Sequence, residues 1–195
     1  MENLRMDSYQ PFSWQLVKRH GLSCVLLWGM GLPMLFFQQE AAKWPGVLLL
    51  FFLSLLAVLD MHYGLLYDKL LLPWAALGIA LEVLACLPWG LAEAAEAAAL
   101  AGAFFGLLRF LSGGGLGWGD VKFIAVSGLW LGVEGVLVAI ALAVSMGGIL
   151  GIALLFGGSK PGDALPFGPC LSLGVYGAYV FGDSLWQFYW GHLLT

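Results

Sequence analysis

Gly117-Trp118-Gly119-Asp120-Val121-Lys122-Phe123 leads into one of the most apolar stretches of this 195-residue chain. An aspartate at the lip of a hydrocarbon-like segment is costly. On insertion scales it costs about 2.5–3.5 kcal/mol at a helix centre. A chain keeps such a group where protein or water screens it, and usually where it has a task. A second acid has a similar setting: Asp60 closes the apolar run Leu48 to Leu59. Two such acids in a chain poor in charge point to paired-carboxylate chemistry at a membrane edge.

Composition sets the solvent. Hydrophobic residues make up 61% of the chain and charged residues 10%, against about 45–50% and 25% in soluble domains. Mean hydropathy is +0.91. A water-soluble fold of this size cannot hide that much apolar surface, so the solvent is lipid. Net charge is −4 with no basic stripe, which argues against nucleic acid as a partner. Cys24, Cys86 and Cys170 are widely spaced and form no CxxC pair. They read as small apolar packing residues, with neither a zinc site nor a disulfide framework expected.

Apolar segments fall at about 21–37, 45–59, 70–89, 94–111, 121–133, 135–156 and 167–189. The expected fold is an all-α, polytopic membrane protein of about seven transmembrane segments. Residues 1–20 form a cytoplasmic N-terminal segment and 21–195 one membrane-embedded domain. The first apolar run carries Gly29, Gly31 and Pro33 and ends without a small-residue cleavage site, so it is expected to be a retained helix. The 45–59 and 121–133 segments fall short of the ~17–25 residues of a spanning helix, and each adjoins one of the two acids.

If the N-terminus is cytoplasmic and all seven segments cross, Arg5, Lys18, Arg19, Lys69, Arg109, Lys122 and Lys160 lie inside and only Lys43 outside. That is a strong positive-inside bias. The same count brings Asp60, Asp68 and Asp120 to the cytoplasmic face and sends Glu93, Glu96 and Glu134 outside. Trp44, Trp89, Trp186 and Trp190 fall near segment ends and read as interfacial anchors. Eight alanines and one glycine between Ala92 and Ala103, and Gly147-Gly148 with Gly151, offer slim faces for close helix packing.

Between Ser112 and Asp120 the chain has five glycines. It lacks the Gly-Lys-Ser/Thr ending of a P-loop. The better reading is a pliant backbone, including Gly115, Gly117 and Gly119, that carries Asp120 to a helix mouth and leaves room for an extended peptide. Lys122 is either an inner-edge snorkelling lysine or a charge that tunes the site. Asp68-Lys69 reads as a solvated pair of little energetic weight. His62 stands two residues from Asp60, but no motif marks a serine or cysteine nucleophile. Asp60, His62 and Asp68 lack a further soft ligand for a metal. Glu82, inside the third segment, is either a buried, hydrogen-bonded glutamate or part of a substrate path. Two carboxylates held close do not both ionise easily and share a proton. That suits acid–base hydrolysis of a peptide bond, with the titration belonging to the pair.

These motifs resemble the bacterial type IV prepilin peptidases, aspartic proteases of the inner membrane with a GxGD motif. Gly115 to Phe123 fits the pattern Gly-x-Gly-x-Gly-Asp-x-Lys-(apolar). Asp60 opens, and Asp68 closes, an Asp-x7-Asp block. Pro166-Phe167-Gly168-Pro169-Cys170-Leu171-Ser172-Leu173-Gly174 is similar to the late Pro-Phe-Gly-Pro signature. The resemblance implies removal of a short basic leader from prepilins or pseudopilins, in a type IV pilus or type II secretion setting, at the cytoplasmic side of the bacterial inner membrane. It makes Asp60 and Asp120 the catalytic pair, with Gly117 and Gly119 shaping the loop that positions the second acid; Asp68 and Lys122 are candidate supporting groups from the residues alone. It implies no metal, and no cofactor for the peptidase step.

Two departures stand out. Tyr67 occupies a position where the family usually has proline, and the N-terminal cytoplasmic insert with paired CxxC motifs is missing. A short form without that module is expected, and whether it keeps N-methyltransferase activity, and with it S-adenosylmethionine binding, is not legible. Oligomeric state is not legible. The competing readings are a small proton- or ion-coupled transporter, which would favour repeat symmetry and midplane acids, and an inactive pilin-binding relative, which would capture substrate without cutting it.

Overall fold

The computed structural model describes residues 21–33, 40–113, 115–157 and 167–193. The 1–20 segment, with Arg5, Lys18 and Arg19, lies outside the described residues, as do Gly114, Lys160 and Pro166. The fold is all-helical, with no strand among the described residues. The helices are α1 (Gly21–Gly31), α2 (Glu40–Tyr63), α3 (Asp68–Val83), α4 (Leu91–Leu111), α5 (Trp118–Phe156) and α6 (Gly168–Leu193). Three of them, in the ranges Lys43–Tyr63, Leu91–Leu111 and Trp118–Phe156, are long and apolar enough to cross a membrane.

The distribution of side chains is that of a protein dissolved in lipid. Along α4, Ala94, Ala97 and Ala101 are buried while Leu100, Phe104, Leu107, Phe110 and Leu111 face outward. Small residues inward let backbones meet. A Cβ built on Gly128 of α5 would stand 2.6–2.8 Å from the Ala97–Ala98 backbone, and one on Gly174 of α6 would stand 2.7 Å from the Ala139 carbonyl oxygen. In lipid, this close van der Waals packing takes the place of the hydrophobic driving force between helices. The Gly147 face is used too, against the Phe167 ring, whereas Gly148 and Gly151 have nothing within 4 Å of a built Cβ.

Two tryptophans sit where no belt would place them. Trp74 and Trp130 are fully buried. The Trp74 ring lies 5.2 Å from Phe123, 6.4 Å from Phe52 and 6.4 Å from Trp130. Trp130 Nε1 donates to the Trp74 carbonyl at 3.3 Å, and Gly78 leaves the room its indole needs. These rings tie α2, α3 and α5 together.

The expected segment boundaries shift for local reasons. The third segment stops being helical at Val83 rather than running to Trp89. Ala85 adopts a left-handed φ of 53°, and the Cys86 N–H donates to the Leu81 carbonyl at 2.8 Å, a Schellman-type stop. The fifth and sixth segments are joined, and the break falls at Gly132, ahead of Glu134. A straight 39-residue helix would measure ~58 Å, about twice the hydrocarbon thickness. Gly132 interrupts it with φ 65° and ψ −175°, a conformation open essentially to glycine alone. The first half of α5 packs on α3 and α4, the second on α6. Trp89 covers the break. Its ring would be 2.7 Å from a Cβ at Gly132, and its Nε1 donates to the Trp130 carbonyl at 3.3 Å. Trp89 is therefore a packing and capping residue, not only an interfacial anchor.

Candidate active site

Asp60 lies in the last turn of α2, which continues to Tyr63 rather than ending at Leu59. Its side chain is buried, 6% exposed. A buried carboxylate needs donors, and one comes from far along the chain: the Gly168 N–H, at the start of α6, donates to Asp60 Oδ2 at 2.7 Å. Only glycine permits this approach. A Cβ at position 168 would meet Asp60 Oδ2 at 2.6 Å and its Cβ and Cγ at 2.7 Å.

Asp120 is the third residue of α5, and Gly117 is the N-cap. The Gly117 N–H donates to Asp120 Oδ2 at 3.0 Å. This is the return half of a capping box, with the acid where the positive end of the helix dipole favours it. Asp120 lies within electrostatic reach of Asp60. Gly119 makes the approach possible. A Cβ there would collide with Leu66 Cβ at 2.8 Å, so its bareness lets the loop after α2 settle on the first turn of α5. Gly117 is nearly as constrained, since an added Cβ would stand 3.0 Å from Asp120 Oδ2. Gly115 has no such demand, its nearest contacts being ordinary ones to Ser112 at 3.5 Å.

Asp68 and Lys122 pair with each other. Lys122 Nζ donates to both Asp68 carboxylate oxygens at 2.8 Å. The bridge joins the first residue of α3 to the fifth residue of α5, at the end where the aspartates lie. Both side chains are half exposed (50% and 58%). His62 Nδ1 donates to the Val58 carbonyl of the same helix at 2.8 Å. Glu82 is buried near the other end of α3. Its Oε2 accepts from the Gly90 N–H at 2.9 Å, holding the N-cap residue of α4. Fourteen residues of helix, ~21 Å, separate it from Asp68, so it stands at the Trp89–Gly132 junction and not beside the aspartates. No group of three His, Cys, Asp or Glu side chains suited to a metal occurs among the described residues.

Residues 47–152, more than half of the chain, match the type IV leader peptidase family. The chain belongs to that family. It is 33% identical over 149 residues to the prepilin leader peptidase/N-methyltransferase of Bacillus subtilis (strain 168), covering 74% of this chain and 58% of that protein. It is 32% identical over 160 residues to the protein of the same name from Aeromonas salmonicida (strain A449), covering 76% and 53%. Over 157 residues it is 32% identical to that of Pseudomonas aeruginosa, covering 74% and 52%. The chain thus spans about half the length of these curated relatives. No solved structure matches it.

The leader-peptidase match includes Asp60, the glycine loop, Asp120 and Lys122, while Gly168 lies beyond it. Tyr67, where the family usually has proline, is the N-cap of α3 with φ −77° and ψ 123°. That φ is within proline's own range. Sequence reasoning missed Gly168 as a site residue. The signal was present, because a glycine followed by proline opens α6, but its partner stands 108 positions away.

Proposed function

We propose that this chain is a membrane aspartic endopeptidase that removes the short basic leader from prepilins or pseudopilins. In this reading Asp60 and Asp120 form the catalytic pair at the cytoplasmic face of the bacterial inner membrane. About seven segments cross, with the N-terminus inside. The observation that supports it is that two acids from separate helices, each held by a main-chain N–H through one oxygen, stand within electrostatic reach of each other at one end of the helical bundle. Family membership supports the same reaction.

The chemistry follows from that geometry. With a single proton shared between the carboxyls, the ionised member accepts a proton from a water attacking the scissile carbonyl. The protonated member donates to the carbonyl oxygen and then to the leaving amine. The pair, not either residue alone, sets the titration. Water and the two carboxyls suffice for the peptidase step, so no cofactor is proposed for it. The Lys122–Asp68 bridge keeps α3 and α5 in register beside the pair.

Purified protein in detergent, incubated with a prepilin and followed by mass measurement, tests this. The expected product is the substrate shortened by its leader, and the same spectrum reads any added methyl group. An intact substrate contradicts the proposal.

A further inference from the structure

Nothing in the reaction as described uses Arg109, yet it touches both sides of the residue that holds Asp120. Arg109 lies in the last turn of α4. Its guanidinium donates a hydrogen bond to the Leu116 carbonyl and stacks over the Trp118 ring, 4.8 Å from the centroid. Leu116 and Trp118 flank Gly117, whose N–H binds Asp120 Oδ2. Ser112 Oγ closes the base of the same loop on the Arg109 carbonyl at 3.1 Å.

A loop this rich in glycine loses more conformational freedom on ordering than any other composition. It does not hold a carboxylate still unaided. Trp118 is 61% exposed, so its ring is fixed by the guanidinium stack rather than by a core. We infer that Arg109 is a positioning residue for Asp120, clamping the glycine loop from α4 by one hydrogen bond and one cation–π stack. This inference rests on the peptidase reading for its catalytic consequence, but not for its structural one.

A simpler role exists for the same side chain. An arginine at the inner end of a membrane helix snorkels to the interface and complements the helix dipole. Both of those tasks need only a positive charge, which lysine supplies. The clamp needs a planar group that stacks and donates at once, which lysine does not supply. Arg109→Lys therefore separates the two.

The experiment uses the full chain in detergent with a prepilin substrate, and Asp120→Asn as the inactive control. Arg109→Ala and Arg109→Lys should each lower kcat by about tenfold or more, with KM changed less than about threefold and melting temperature preserved. This is the scale of loss that a misplaced catalytic group produces. Trp118→Ala, at an exposed position, should give a smaller fall in the same direction and serves if Arg109→Ala does not fold. Amide hydrogen exchange over residues 115–120 should rise about tenfold in Arg109→Lys. Full activity in Arg109→Lys, or in Arg109→Ala, overturns the clamp. If the wild type itself leaves prepilin uncut, the peptidase reading fails and exchange alone decides: unchanged protection in Arg109→Lys overturns the clamp.

Discussion

The amide of Gly168 donates to the Asp60 carboxylate at 2.7 Å, so the first turn of α6 forms one wall of the site. Gly168→Ala would push a methyl group to within 2.6 Å of Asp60 Oδ2. Either α6 or Asp60 must move, and a shift of ~1 Å at a reacting group costs about a hundredfold in rate. We expect leader cleavage to fall by about that factor while the variant still accumulates in the membrane. Cleavage at the wild-type rate would show that this wall is not needed.

Gly119 and Leu66 form a paired contact. Gly119→Ala should slow cleavage, because the added methyl meets Leu66 Cβ at 2.8 Å. Adding Leu66→Ala does not remove that Cβ but frees the rest of the side chain to shift, so the double variant should recover part of the loss. Kinetics of the three variants check this, and an additive double variant would contradict the proposed contact.

The Lys122–Asp68 bridge is half exposed, so solvent screening limits its worth to about 1 kcal/mol or less. Lys122→Ala and Asp68→Ala should each lower stability by no more than that, and the double variant should be no less stable than the weaker single one. A double-mutant cycle by denaturation in detergent measures the coupling, which should shrink as salt rises.

Gly132→Ala should be strongly destabilising. Its backbone lies at φ 65° and ψ −175°, which costs a non-glycine residue about 1–3 kcal/mol, and the new Cβ would meet the Trp89 ring at 2.7 Å. A melting temperature unchanged from wild type would count against Gly132 as an obligatory break.

The two aspartates were legible because charge is scarce here and each acid adjoins an apolar run. The membrane class was legible from composition. What escaped was tertiary. Nothing in the sequence marked Trp74 and Trp130 as core residues; the Gly78 gap and the Phe123 ring place them there. The α5 break was sought near the charge of Glu134, whereas the backbone broke at the glycine that takes a positive φ. Trp89 looked like an anchor because its partner, the Trp130 carbonyl, is 41 residues away. Periodicity carries no record of such distant contacts.

Asp60 and Asp120 are proposed to act as one unit. Steady-state cleavage of a prepilin by Asp60→Asn, Asp120→Asn and the double variant tests it most directly. Residues that act together are non-additive, so each single change should abolish turnover to the level of the double variant, with all three proteins folded in the membrane. Substantial cleavage by either single variant, or losses that multiply in the double, would contradict the account.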